Sequence, residues 1–114
     1  MRRAHAAAFL FLLWLTAAAQ AAESRIALRV PEWTGADRDE VVTAGVPLTK
    51  GTLPEAAQCR LLDERGKEAP FVGTALARWP DGSVKWLLLD FRARVGAGKT
   101  ANFTLECGTS ASAK

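Results

Sequence analysis

Ala75-Leu-Ala-Arg-Trp-Pro-Asp-Gly-Ser-Val-Lys-Trp-Leu-Leu-Leu-Asp-Phe91 reads as two strands folded back on one turn. Pro80-Asp81-Gly82 is that turn. Proline presets the φ that the first corner of a type I turn needs, and aspartate bonds its short side chain back to nearby backbone N–H groups. Glycine takes the positive φ that closes a bulged hairpin loop. Trp79 and Trp86 stand on either side.

Downstream of the turn, Val84 to Val95 places Val84, Trp86 and Leu88 on one face and Leu87, Leu89, Phe91, Ala93 and Val95 on the other. A strand apolar on both faces is expected to be buried on both. Its inner face would fill a core, and its outer face then needs a cover. That cover is expected from the Glu32–Glu40 loop, from the N-terminal leader or from a further domain. Upstream, Ala69 to Trp79 puts Gly73, Ala75 and Ala77 on one face with Phe71 and Trp79, small residues that make room for bulky neighbours inside a narrow barrel.

The remaining strands follow from alternation and turn chemistry. Arg25 to Val30 is the first, with Ile26, Leu28 and Val30 inward, and Pro31 ends it. Glu32 to Glu40 reads as a solvated loop carrying Trp33, which either covers one end of the barrel or stacks on a sugar. Val41 to Leu48 reads as a short strand bent by Gly45 and Pro47. Gln58 to Asp63 turns through Glu64-Arg-Gly-Lys67 into the Ala69 strand. Thr100 to Cys107 is the last, with Ala101, Phe103, Leu105 and Cys107 inward. Six short strands without a clear helix predict an all-β, small six-stranded barrel.

The run Arg78 to Trp86, Arg-Trp-Pro-Asp-Gly-Ser-Val-Lys-Trp, followed by the apolar Leu87 to Phe91, resembles the N-terminal RIFT-type barrel of the PcRGLX/YetA-like family of secreted exo-rhamnogalacturonan lyase-like proteins. Gly45-Val-Pro47 and Lys50-Gly-Thr-Leu53 are similar to the way these barrels begin, so the resemblance covers about residues 25 to 107. It implies that Arg78, Trp79, Pro80, Asp81, Gly82, Ser83, Lys85 and Trp86 are a structural signature. It also implies that lyase chemistry belongs to a large helical domain absent from this chain. The implied role is a non-catalytic module that packs against a carbohydrate-active or other β-rich domain, in cis or in trans, with pectic polysaccharide as candidate ligand. A free-standing carbohydrate-binding module is the alternative. The same barrel type resembles those of flavin enzymes, whose sites use an Arg-x-Tyr-Ser-like strand. This chain has no tyrosine, and no cofactor is expected.

At the N-terminus, a basic start, an apolar run of 14 residues from Ala6 to Ala19 and small residues around Ala19-Gln-Ala21 predict a helical signal peptide over 1–22. The run is shorter than the roughly 20 residues of a spanning helix, so no stable membrane anchor is expected after cleavage. The barrel is then expected over 23–108, with 109–114 a polar tail or truncated linker, and the product exported to a bacterial periplasm or beyond. Loss of Arg2 and Arg3 leaves thirteen Lys and Arg against twelve Asp and Glu, which removes any nucleic-acid footprint.

The chemistry inventory is short. The only histidine, His5, leaves with the leader, so imidazole bases and metal ligands are missing from the mature chain. No catalytic or metal residues are expected. A carboxylate pair for glycoside hydrolysis could in principle be drawn from Asp63, Asp81 and Asp90; turn chemistry accounts for Asp81, and an Arg or Lys on an adjacent strand is expected beside Asp90. Trp79, Lys85 and Trp86 read as core packing, with the lysine stem over a ring, or as a sugar platform. Cys59 and Cys107 either form a disulfide, which would stabilise by roughly 3–4 kcal/mol, or stay as two reduced core thiols.

Overall fold

The computed structural model describes residues 24–108, so the expected leader (1–22) and tail (109–114) lie outside the described residues. Among the described residues every regular element is a strand: β1 (Ser24–Pro31), β2 (Arg38–Pro47), β3 (Cys59–Leu62), β4 (Glu68–Ala69), β5 (Phe71–Arg78), β6 (Val84–Val95) and β7 (Thr100–Cys107). They form an antiparallel sheet in the order β1-β7-β3-β4 and a second in the order β2-β6-β5. The expected Ala69–Trp79 strand is one ribbon broken at Pro70, which makes seven strands where six were anticipated. Proline has no N–H to give a ladder. The chain therefore leaves the first sheet at Ala69 and enters the second at Phe71, and this single ribbon joins the two walls.

Strand β2 is longer than the sequence suggested, and the loop before it correspondingly shorter. Arg38, Asp39 and Glu40 pair with Val95, Arg94 and Ala93 of β6. Their charges are matched: Asp39 accepts from Arg92 at 2.6 Å and lies 3.2 Å from Arg94, and Arg38 meets Glu40 at 2.7 Å. Nor do Gly45 and Pro47 interrupt the ladder, since they pair with Leu88 and Trp86. Leu48 donates its N–H to Lys85 O at 3.0 Å. Alternation then turns the Pro47 nitrogen toward the open edge of the sheet, where a missing donor costs no ladder bond.

The central hairpin closes as its residues demand. Gly82 donates its N–H to Trp79 O at 2.9 Å, Trp79 donates to Ser83 O at 2.8 Å, and Gly82 takes φ 87°. Beyond the turn, the β5–β6 pairing slips and recovers, with Ala75 opposite Leu87, Ala77 opposite Trp86 and Arg78 opposite Val84. These bulges break the face assignment expected for β6. Val84 is fully buried while Trp86 turns outward and is 43% exposed. From Leu87 onward the inner face is as anticipated, with Leu87, Leu89, Phe91, Ala93 and Val95 all buried.

The core lies between the sheets. Leu61 and Leu105 from one wall meet Leu87 and Leu89 from the other, and the Phe91 and Phe103 rings contact edge-on at 4.9 Å. Leu53, from the turn region after β2, is also fully buried, and its carbonyl accepts the Val84 N–H at 2.8 Å. Gly73 is small for a reason: a Cβ there would sit 3.3 Å from the Phe71 ring and 3.5 Å from Leu87.

Leu105→Ala is expected to destabilise the domain by about 2–5 kcal/mol, because a fully buried leucine is replaced by a cavity between two rigid walls. Urea unfolding of the wild type and variant would measure the difference.

Candidate functional site

Three surfaces carry the residues that chemistry could use, and they do not converge. The first is the loop at the end of β1. Glu32 is buried there and acts as its anchor. Its Oε1 accepts the Thr34 N–H at 2.6 Å and the Thr34 hydroxyl at 2.5 Å, and its Oε2 accepts the N–H groups of Gly35 at 2.9 Å and Gly98 at 2.8 Å. The Glu32 N–H in turn donates to Lys99 O at 2.8 Å. Four donors on one carboxylate hold its pKa down to about 2, the Gly98 N–H contributing most and the Thr34 hydroxyl next, against an opposing effect of burial.

This anchoring presents Trp33 at 86% exposure. The ring does not cover a barrel end as core packing would require. It flanks a cleft of about 250 Å³ lined by Val30, Val42, Ala93 and Val95, with Arg38 and Glu40 beside them. Arg38 is occupied by Glu40, by Glu32 at 3.5 Å and by the Thr34 hydroxyl at 3.1 Å.

The second surface is the outer face of the β2-β6-β5 sheet. Trp86 and the half-buried Leu88 lie on β6, beside Leu76 (59% exposed) and Val72 (62%) on β5. The Trp86 ring lies over Gly45, where a Cβ would come within 3.6 Å of it. No described residue covers this face, and the Trp33 loop lies at the opposite end of β6. Trp33 and Trp86 are thus on the order of 25 Å apart along the strand and form no common platform.

The third is the Arg78–Trp86 turn, whose polar groups are spent on the fold. The Trp79 indole Nε1 donates to Leu48 O at 3.0 Å, and Lys85 Nζ sits 4.6 Å above its ring centroid. Arg78 reaches Gly82 O at 2.8 Å and Glu55 at 3.3 Å. Asp81 accepts the Ser83 N–H at 2.9 Å and the Ser83 hydroxyl at 2.6 Å, which lower its pKa, the hydroxyl more strongly. The Ser83 hydroxyl oxygen accepts the Gly51 N–H at 2.9 Å.

The carboxylates are scattered. Asp63 accepts the Arg65 and Lys67 N–H groups in the β3–β4 turn, and Asp81 sits in the β5–β6 turn. Asp90 lies mid-strand on β6 and accepts the Thr43 hydroxyl, in place of the basic partner expected for it. Among the described residues no cluster of His, Cys, Asp or Glu has a metal-holding arrangement. Cys59 and Cys107 are both fully buried and unbonded, yet they are direct partners across the β3–β7 ladder.

Two buried acids escaped the sequence reading. Glu32 looked like one charge among several in a solvated loop, and no local pattern distinguishes it. Glu106 left a readable trace: it lies on the polar face of β7 in register with Arg25 and Arg60, and it pairs with them at 3.2 and 2.6 Å.

The family model described as the PcRGLX-like N-terminal RIFT barrel domain matches residues 24–106, essentially the whole described span. No curated protein matches the chain.

Glu32 generates a prediction with a definite sign. Its folded pKa lies below the ordinary value, so its contribution is present above about pH 4.5 and is lost as pH falls toward about 2. Acid unfolding followed by tryptophan fluorescence should show this loss in the wild type and a flatter profile over the same window in Glu32→Gln. Trp33→Ala should leave stability within about 0.5 kcal/mol of wild type, as expected for an exposed side chain without buried contacts.

Proposed function

The chain belongs to the PcRGLX-like N-terminal RIFT barrel family, and from that premise we propose that it is the non-catalytic module of an exported, exo-rhamnogalacturonan lyase-like protein. Its outer three-stranded face docks on and positions a carbohydrate-active domain. The observation that carries this reading is the uncovered apolar group of Trp86, Leu88, Leu76 and Val72 on the outside of the barrel. Apolar clusters of this kind on a sheet face mark contact surfaces. A tryptophan flanked by leucines is the composition of an interface centre. That the family is an N-terminal domain supports a neighbour in sequence. A non-catalytic role is supported by dispersed carboxylates, each already engaged in a turn or a cross-strand hydrogen bond.

One observation favours a second reading, a carbohydrate-binding module. Trp33 is held out by a rigid anchor rather than packed away, and an exposed indole suits stacking on a sugar ring. Its cleft supplies apolar wall, but its one arginine is already paired.

The two readings separate experimentally. Calorimetric titration of this chain against a longer family member stripped of its own barrel should show association, and Leu76→Ser with Trp86→Ser should weaken it at least tenfold while the melting transition is retained. Lack of association by the wild type would defeat the docking reading. Affinity electrophoresis in gels containing pectic polysaccharide should show no retardation; retardation abolished by Trp33→Ala would favour the second reading instead.

A further inference from the structure

We propose that Cys59 and Cys107 are a site of oxidative modification: a disulfide that joins β3 to β7 and forms before the barrel closes over the two sulfurs. Register is the first support. Cys59 stands directly opposite Cys107, and Gly108 donates its N–H to Gln58 O at 3.1 Å. Gln58 and Gly108 are therefore a hydrogen-bonded position of the antiparallel ladder, which makes the neighbouring Cys59–Cys107 pair a non-hydrogen-bonded one. Opposed Cα atoms at such positions lie about 4.5 Å apart, with their side chains close and on the same face. Disulfides span Cα separations of roughly 4.4–6.8 Å, so the backbone need not move far for the bond to form.

Burial supplies the order of events. Both cysteines are fully buried, and the Cys59 thiol donates to Ala56 O at 3.0 Å. Burial pushes the Cys59 thiol up to about 12, helped by the adjacent Cys107, and the Cys107 thiol up to about 11. Thiolate is the attacking species, and an external disulfide has no path to either sulfur, so the folded and reduced barrel resists oxidation. In the open chain both groups are free to react. A thiolate of one cysteine attacks an external disulfide, such as that of a thiol oxidoreductase, giving a mixed disulfide and one released thiol. The second cysteine's thiolate then attacks the mixed disulfide, forming the Cys59–Cys107 bond and releasing the second thiol. The chain gives up two electrons and two protons, and the external disulfide becomes a dithiol.

The placement gives the bond a structural purpose. Strand β7 follows the other described strands in chain order, yet it sits between β1 and β3 and is held to β3 by only four register pairs, from Cys59↔Cys107 to Leu62↔Thr104. A covalent link at the end of that short ladder fixes the register. The inference needs only an oxidising environment and is independent of the docking and sugar-binding readings.

Refolding of the full chain tests it. Reduced, denatured protein refolded in a mixture of oxidised and reduced glutathione should lose two hydrogens by intact mass and yield a Cys59–Cys107 cross-linked peptide. Protein refolded reduced and then given oxidised glutathione should oxidise at least tenfold more slowly. The oxidised form should melt higher than the reduced form by on the order of 10 °C. In Cys59→Ser with Cys107→Ser, both arms should give the same mass and the same melting temperature. Glutathione adducts without the internal bond, equal rates in the two arms, or a lower melting temperature on oxidation would each overturn the proposal.

Discussion

Strand β6 runs for twelve residues, and its inner face from Leu87 to Val95 has to be removed from water along its whole length. A single sheet cannot do this. Strands β2 and β5 flank β6 and satisfy its backbone, while the opposite wall of β3 and β7 satisfies its side chains through Leu61, Phe103 and Leu105. The chain crosses between the walls at several places, and at Pro70 loss of one N–H lets a strand ribbon change sheets without leaving an unmet donor in either. Closing the barrel and burying β6 are thus one event, and on the inner face of β5 Gly73 leaves room for the Phe71 ring and for Leu87 of the neighbouring strand.

Most of this frame is legible in the sequence because strand alternation and turn chemistry are local. The Pro80-Asp81-Gly82 turn, the inward faces of β1, β5 and β7 and the leucine row of β6 follow from side-chain period and from residues with restricted φ. What was not legible depends on partners distant in sequence. Arg38 to Glu40 read as loop because their charges look solvated; they become strand because the end of β6 pairs with them and brings Arg92 and Arg94 to Asp39. Val84 was placed on the face of Trp86 and Leu88 because simple alternation was carried through Lys85, and the paired bulges with β5 turn Val84 into the core while Trp86 stays outward. Leu53 lies outside every strand, and no alternation marks it as the core plug that it is, held through its carbonyl by the Val84 N–H.

The buried acids obey the same division. Glu106 joins Arg25 on β1 and Arg60 on β3, so one carboxylate ties three adjacent strands across their polar face. A buried charge with two basic partners contributes less to net stability than to register, since a slipped ladder would leave it unpaired. Glu32 is satisfied mainly by backbone N–H groups and binds two loops, the one carrying Trp33 and the one between β6 and β7. Its geometry is set by chain segments 66 residues apart. A single-sequence pattern has no purchase on it.

The exposed aromatics are best understood against this economy of polar groups. Trp79 is committed to the turn by its hydrogen bond to Leu48 and its contact with Lys85, so its presence in the signature run says nothing about a ligand. Trp33 and Trp86 have no such commitment and are exposed for different reasons. Trp33 is held out by a dedicated carboxylate at the tip of a loop, where one ring can be reached by a flexible or extended ligand. Trp86 lies flat over Gly45 within a wider apolar face on a rigid sheet, which suits a broad partner surface better than a single sugar ring. The β5–β6 bulges change the face of Val84, which they carry into the core, while Trp86 stays with Leu88 on the side opposite the leucine row and gives the outer face its centre.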